Sequence, residues 1–352
     1  MKNTENLYKH GGNIYEIEPG KRDSILDFSA SINPLGIPPG IKKLLSSQLK
    51  NLVHYPDFES HQLTSAIADY WDIKKENILV GNGSTELIYI VLNAFQTGTV
   101  TLTVPSFTEY ERAARISKCI VQFLCLPEDK GFLFNPGYVK KSDMIFLCNP
   151  NNPTGNLVVS SQLDPDAIPA DKIIIDEAFM DFVQDEDAYT LIPRAAKSKK
   201  LIVLRSLTKL FALPGLRIGY LVAHSNTIRT LKKYQVPWSV NMLAQTAAGR
   251  VLTEDMFRQR SKQLIARERK FLYEELSRLK GLEPYPSTAN FILVKIKQKC
   301  LTSSMLREKL LKKGILIRDC ANFRGLNDQF IRVAVRSRKE NMRLMQALEE
   351  CV

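Results

Sequence analysis

The sequence predicts an α/β protein: a mostly parallel central sheet with helices on both faces, followed by a smaller α+β domain. Three observations carry this. Short apolar runs such as "MIFLC", "KIIID" and "LIVLRS" lack polar alternation, as strands buried on both faces require. They alternate with segments of helical period, the pattern of crossovers between parallel strands. The chain has 352 residues, more than one hydrophobic core usually holds, so a large and a small domain are expected.

Residues 1–45 are rich in Gly, Pro, Asn and Ser ("HGGN", "SINPLGIPPG") and read as an extended arm with turns, contributing to the small domain and the active site. Residues 46–240 form the expected large domain. There "HQLTSAIADYW" is helical in period and "ILVGNGSTELIYIVLNAF" is a strand turning into a helix. Strands follow at "TVTLTVPSF", "MIFLCNP", "KIIIDEAF", "LIVLRSL" and "LRIGYLVA". The small domain, 241–352, opens on a long charged helix from about Thr253 to Lys280. It continues with "ANFILVKI", a helix in "TSSMLREKLLKKG", strands in "ILIRDCANF" and "FIRVAVR", and a closing helix from Lys339.

Composition narrows the function. Hydrophobic content of 44% and charged content of 24% are those of an ordinary soluble globular protein. The net charge of +12 comes from dispersed Lys and Arg with no basic stripe, so a nucleic-acid partner is not expected, and anionic small molecules fit the same charge. Six cysteines without a CxxC pair, and only four histidines, argue against a metal site and a disulfide framework and for a reducing cytoplasm. The N-terminus has no apolar core and "LIYIVLNAF" is too short to span a bilayer, so no membrane association is expected.

In an open parallel sheet, ligands collect at the C-terminal ends of the strands. "VGNGSTE" delivers Gly83, Ser84 and Thr85 at a helix start, suited to phosphate. "VPSF" delivers Phe107, "CNPNNPTG" delivers Asn152, and "IIIDEAF" delivers Asp176, a carboxylate that burial makes costly without a partner. "LRSLTKLFALPGLRIGY" delivers Ser206, Thr208, Lys209 and Arg217.

This order resembles the fold type I enzymes dependent on pyridoxal phosphate, the aspartate aminotransferase superfamily, across nearly the whole chain. The resemblance implies pyridoxal 5'-phosphate as cofactor. Lys209 matches the lysine that holds its aldehyde, and Asp176 the acid facing its ring nitrogen. Arg217, with Ser206, Ser84 and Thr85, matches the phosphate grip. Phe107 matches the stacked ring and Asn152 the amide on the phenolic oxygen. Tyr55, in "HYPD", matches a tyrosine reaching the neighbouring subunit's phosphate, which implies a homodimer with shared active sites.

The reaction depends on which bond at the substrate's α carbon is broken. "HGGNIYE", "ILDFSASINPLG" and "GILIRDCANFRGL" resemble threonine-phosphate decarboxylases of cobalamin biosynthesis. Phe179 supports this, because histidinol-phosphate aminotransferases, next in resemblance, usually carry Tyr there. The implied reaction is loss of carbon dioxide from threonine phosphate, or from serine phosphate, which differs by one methyl. The alternatives are an aminotransferase on the same fold and a non-catalytic nucleic-acid-binding module. Expected substrate contacts are His10, Gly11, Gly12, Asn33, Asn152, Arg318 and Arg324, with Arg332 for an anionic group of the substrate. The resemblance assigns no role to Glu177 or Asp181.

Overall fold

The computed structural model describes residues 9–352. Its strands in chain order are β1 (Leu26–Asp27), β2 (Ile78–Gly81), β3 (Thr99–Val104), β4 (Ile120–Cys125), β5 (Ser142–Cys148), β6 (Ala170–Asp176), β7 (Leu201–Ser206) and β8 (Gly219–Ala223). After these come β9 (Leu282–Pro284), β10 (Phe291–Ile296), β11 (Ile315–Leu316), β12 (Arg318–Asp319) and β13 (Phe330–Ala334).

Strands β2 to β8 form one sheet in the order β2-β8-β7-β6-β5-β3-β4. Pairings among β3 to β7 are parallel, and β8 runs antiparallel between β7 and β2. The strand ends at Gly81, Val104, Cys148, Asp176 and Ser206 therefore share one edge, where β8 begins at Gly219. Both faces of the sheet are covered, which is why its strands read as unbroken apolar runs. In β6, Ile173 and Ile175 join one core cluster and Ile174 the other, all three fully buried. One face is packed by helices His61–Trp71, Met242–Val251 and Asp255–Arg278, the other by Gly83–Phe95, Glu109–Ile116 and Ser225–Lys232.

Two features differ from the sequence reading. The edge strand β4 was not anticipated, because Gln122 breaks its apolar run and the strand is only half covered, with Ile120 and Phe123 exposed. The arm also does more than turn: β1 pairs in parallel with β11, and Phe28 beside it is fully buried.

The second sheet is antiparallel, β12-β13-β10-β9. The charged helix is 24 residues, Asp255–Arg278, and buries a stripe at Phe257, Ser261, Ile265, Leu272 and Leu276, spaced as one helix face. No helix among the described residues is long and apolar enough to cross a membrane.

Candidate active site

The shared strand edge holds a cavity lined by Gly83, Ser84, Thr85, Phe107, Asn152, Asp176, Ser206, Thr208, Lys209 and Arg217, together with Cys148, Ala178 and Phe179. Residues from five separate strand ends thus meet because parallel strands finish on one side.

One end of the cavity is built for an anion. Helix Gly83–Phe95 starts at Asn82, whose side chain makes no cap, so first-turn N–H groups remain for a ligand. Gly83 has φ +77°, and a Cβ there would stand 2.6 Å from Arg217 Nη2, so the guanidinium lies directly over the glycine. A Cβ on Gly219 would meet the Ser84 nitrogen at 2.6 Å, so β8 also approaches this helix start closely. Arg217 itself takes a left-handed φ of +57°, local strain that accompanies delivery of its side chain. The Ser206 and Thr208 hydroxyls lie 2.8 Å apart beside it.

The other end carries Asp176, buried at 4% exposure. Its Oδ2 accepts from the Tyr110 hydroxyl at 2.6 Å and its Oδ1 from the Ala178 N–H at 3.0 Å. Burial raises its carboxyl above the ordinary range, opposed by these bonds and by Lys209. Lys209 is pushed down to about 8 by burial and by the Arg332 and Arg217 guanidiniums, against the attraction of Asp176. Phe179 has no hydroxyl to offer. Its ring stands edge-on to Phe291 at 5.0 Å, with Lys209 Nζ 5.9 Å from its centre.

These residues fit pyridoxal phosphate. The glycine cradle with Arg217 suits a phosphate, the buried carboxylate suits a protonated ring nitrogen, and Phe107 offers a flat wall.

Arg332, on β13, is 6% exposed and donates through Nη1 to Asn152 Oδ1 and through Nη2 to the Ser29 carbonyl at 3.1 Å. Its Nε has no partner, and it forms no ion pair with a carboxylate among the described residues. Burial pushes it down to about 10. A buried cation paired only with neutral oxygens is poised for an anion.

Several expected substrate contacts sit elsewhere. The Asn33 amide is spent on the Leu210 carbonyl and Ser261 Oγ, both at 2.7 Å, and its backbone N–H donates to the Lys209 carbonyl at 3.2 Å. It ties the arm to the lysine loop rather than offering a donor to substrate. The Gly12 N–H is used by Ser29 Oγ at 2.8 Å, and Gly11 packs so tightly that a Cβ would stand 2.1 Å from the Ser29 carbonyl oxygen. Arg324 lies near the surface, donating to both carboxylate oxygens of Glu111. His10, Gly11 and Arg318 line a neighbouring cavity under the arm. There His10 Nε2 is 2.8 Å from Glu109, and Arg318 donates to the Lys9 carbonyl and Asn322, both at 2.7 Å. Tyr55 does not reach the cavity of its own chain: it is 82% exposed, its ring 5.0 Å from that of Trp238.

Sequence reasoning missed Tyr110 and Arg205. The signal for Tyr110 was its spacing of three from Phe107, which places two rings at one helix start. Arg205 answers the unassigned acids: at 2% exposure it meets Glu177 at 3.1 Å, Asp181 at 2.7 Å and Glu186 at 2.5 Å. Arg258 and Lys262 of the long helix complete the cluster, pairing Asp181 at 3.0 Å and Glu186 at 2.9 Å. Thus the loop after Asp176 is clamped to the helix that leads into the second sheet.

Comparison with known proteins agrees with this geometry. The chain is 37% identical to the threonine-phosphate decarboxylase of Salmonella typhimurium, with 96% of this chain and 95% of that protein covered. The structure of L-threonine-O-3-phosphate decarboxylase from Porphyromonas gingivalis superposes with a TM-score of 0.84 at 29% identity, covering 92% of this chain and 98% of that one. The histidinol-phosphate aminotransferase from Clostridium acetobutylicum superposes with a TM-score of 0.85 at 31% identity, covering 93% and 99%. Residues 23–348 match the model for aminotransferase class I and II, and the chain belongs to that family.

Proposed function

We propose that this protein is a pyridoxal-phosphate-dependent decarboxylase that converts threonine O-phosphate into 1-aminopropan-2-ol O-phosphate and carbon dioxide, a step suited to cobamide synthesis. The observation that carries the substrate class is Arg332, a buried guanidinium without a carboxylate partner among the described residues, beside the cavity of Lys209. Decarboxylation, rather than amino transfer, is supported by the near full-length likeness to a protein of that name and by Phe179 in the cavity wall.

Each side chain then has a task. Arg217, Ser206, Thr208 and the helix start at Gly83, Ser84 and Thr85 hold the cofactor phosphate. Phe107 covers one face of the ring, and Asp176 keeps a proton on the ring nitrogen, an attraction strengthened by the dry surroundings. When bound, pyridoxal phosphate supplies an aldehyde for the substrate amine and a ring that withdraws the electron pair left at the α carbon. Burial and the Arg332 and Arg217 guanidiniums push Lys209 down to about 8, so its free amine is more accessible near neutral pH than that of an ordinary lysine. It is therefore equipped to hold the aldehyde and later to return a proton to the α carbon. Arg332 orients the substrate through an anionic group, and Asn152, which accepts from it, stays aligned with the cofactor's phenolic oxygen.

Exposed Leu52, Val53, Tyr55, Phe58, Val236 and Trp238 form an apolar surface that supports a homodimer in which Tyr55 serves the partner's site. Sedimentation velocity tests this: a monomer at working concentration refutes it. The enzyme is expected in the cytoplasm. The proposed division is an arm, 1–45, that contributes to the small domain and the active site, a large domain, 46–240, and a small domain, 241–352; the pairing of β1 with β11 supports the first of these.

Purified protein reconstituted with pyridoxal phosphate and given threonine phosphate without any keto acid should release carbon dioxide, and Lys209→Ala should not. Turnover of amino acids only when 2-oxoglutarate is added would sink the decarboxylase in favour of an aminotransferase.

A further inference from the structure

The buried acid at the end of β6 is held by a group that none of the roles above uses. Asp176 has two oxygens and a separate donor on each: the Ala178 N–H on Oδ1 and the Tyr110 O–H on Oδ2. The Ala178 bond is local, two residues along the chain, and fixes only the turn. The Tyr110 bond comes from another element, the first turn of helix Glu109–Ile116, across 66 residues of sequence. At 2.6 Å it is a short charge-assisted bond.

The ring of the phenol is fixed, and besides Asp176 its hydroxyl has only the Cys148 thiol within reach among the described residues. Tyr110 is 1% exposed, its ring stacked on Phe146 of β5 at 5.0 Å and 24°, and standing edge-on to Phe107 at 5.6 Å and 84°. The same ring system thus forms the wall of the cavity and aims the hydroxyl. The other groups around Asp176 are the Cys148 thiol, whose Sγ–H is turned to the Pro150 carbonyl at 3.3 Å, and Lys209. Neither forms a hydrogen bond to this carboxylate, and no arginine pairs with it among the described residues.

A buried carboxylate opposite a ring nitrogen has two ways to share one proton. With the proton on nitrogen both groups are charged; with the proton on oxygen both are neutral. Burial favours the neutral arrangement, and a hydrogen bond donated to the carboxylate favours the charged one. We propose that Tyr110 is a positioning residue for Asp176: its hydroxyl keeps the carboxylate ionised and aimed, so that the proton stays on the ring nitrogen of the cofactor. This rests on the reading of the site as one for pyridoxal phosphate.

The consequence is specific. Without the hydroxyl the proton moves toward Asp176 and the ring loses positive charge. A nearby positive charge disfavours protonation, so its loss raises the pH at which the cofactor's linkage to Lys209 gives up its proton. Tyr110→Phe keeps the ring and removes only the donor. A hydrogen bond to a charged group shifts that group's own proton balance by about one unit or more; the linkage feels only the resulting change of ring charge, so the pH midpoint of the bound cofactor's absorbance should rise by a measurable fraction of that amount. The phosphate grip is untouched, so affinity of the cofactor-free protein for pyridoxal phosphate should stay within about threefold. Turnover, kcat, should fall at least about tenfold with KM little changed. In an Asp176→Asn background, adding Tyr110→Phe should produce no further shift, because the charge it supports is already gone.

A Tyr110→Phe protein that takes up cofactor and titrates at the wild-type midpoint overturns the inference, as does an undiminished effect in the Asp176→Asn background. If Tyr110→Phe does not fold, Phe146→Leu loosens the ring without altering any polar atom. A smaller rise of the midpoint then supports the inference, and an unmoved midpoint overturns it. Wild-type protein that takes up no pyridoxal phosphate overturns the cofactor reading and this inference with it; uptake with equal midpoints overturns this inference alone.

Discussion

Replacing Arg205 with methionine removes the centre of the buried charge cluster while keeping most of the side-chain volume. Its cost follows from what each acid retains. Asp181 keeps Arg258 at 3.0 Å and Glu186 keeps Lys262 at 2.9 Å. Glu177, with a side chain 0% exposed, keeps the Thr190 hydroxyl and the Leu191 N–H, both at 2.7 Å, and loses its cation. Removing one partner of a buried pair costs about 3 to 5 kcal/mol, and with two of three acids still paired the low end applies, about 3 kcal/mol. Urea unfolding of cofactor-free protein at fixed concentration measures it, since dimer stability varies with concentration. With a slope of about 2 to 3 kcal/mol per molar, the midpoint should fall by about 1 to 1.5 M. Adding Glu177→Gln should restore part of the loss, because a neutral amide tolerates the pocket that an unpaired carboxylate does not. A single variant losing under about 1 kcal/mol, or a double variant with no recovery, refutes the reasoning.

Three more outcomes follow from the same geometry. Gly83→Ala puts a methyl where Arg217 Nη2 would be 2.6 Å away, at a φ of +77°, so cofactor affinity should weaken about 10- to 100-fold in a fluorescence titration. Asp176→Asn should still take up cofactor, while steady-state kcat for carbon dioxide release drops about 100-fold or more; full activity would contradict the strand-end assignment. Against its own burial, Arg205 and Lys262 hold Glu186 down to about 2, below its ordinary 4.5. The folded form therefore binds this proton more weakly than the unfolded chain. Its stabilisation, about 3 kcal/mol, is complete above pH 4.5 and lost as pH falls toward 2, visible as a falling urea midpoint that flattens in Arg205→Met.

Much of the site was legible before any coordinates. Strand-end positions are local in sequence, so Asp176, Ser206 and Lys209 could be read from where apolar runs stop. Asn33 shows the opposite case. Its polarity and position on a Gly- and Pro-rich arm resemble a ligand contact, and only the packing against Leu210 and Ser261 shows its amide already occupied. Arg324 likewise bonds Glu111, 213 residues earlier in the chain, a contact that no local pattern shows.

The sequence by itself determined the sheet apart from its edge strand β4, its two covered faces and the residues each strand end delivers, because hydrophobic period and turn chemistry act over a few neighbouring positions. Only the tertiary structure decided how the charges are paired. Arg205 draws Glu177, Asp181 and Glu186 together, Arg332 is left without an acid among the described residues, and Tyr110 comes from a separate helix to Asp176 at the end of β6. A hydrogen bond or ion pair acts over about 3 Å of space whatever the separation along the chain, and so its partner is set by folding.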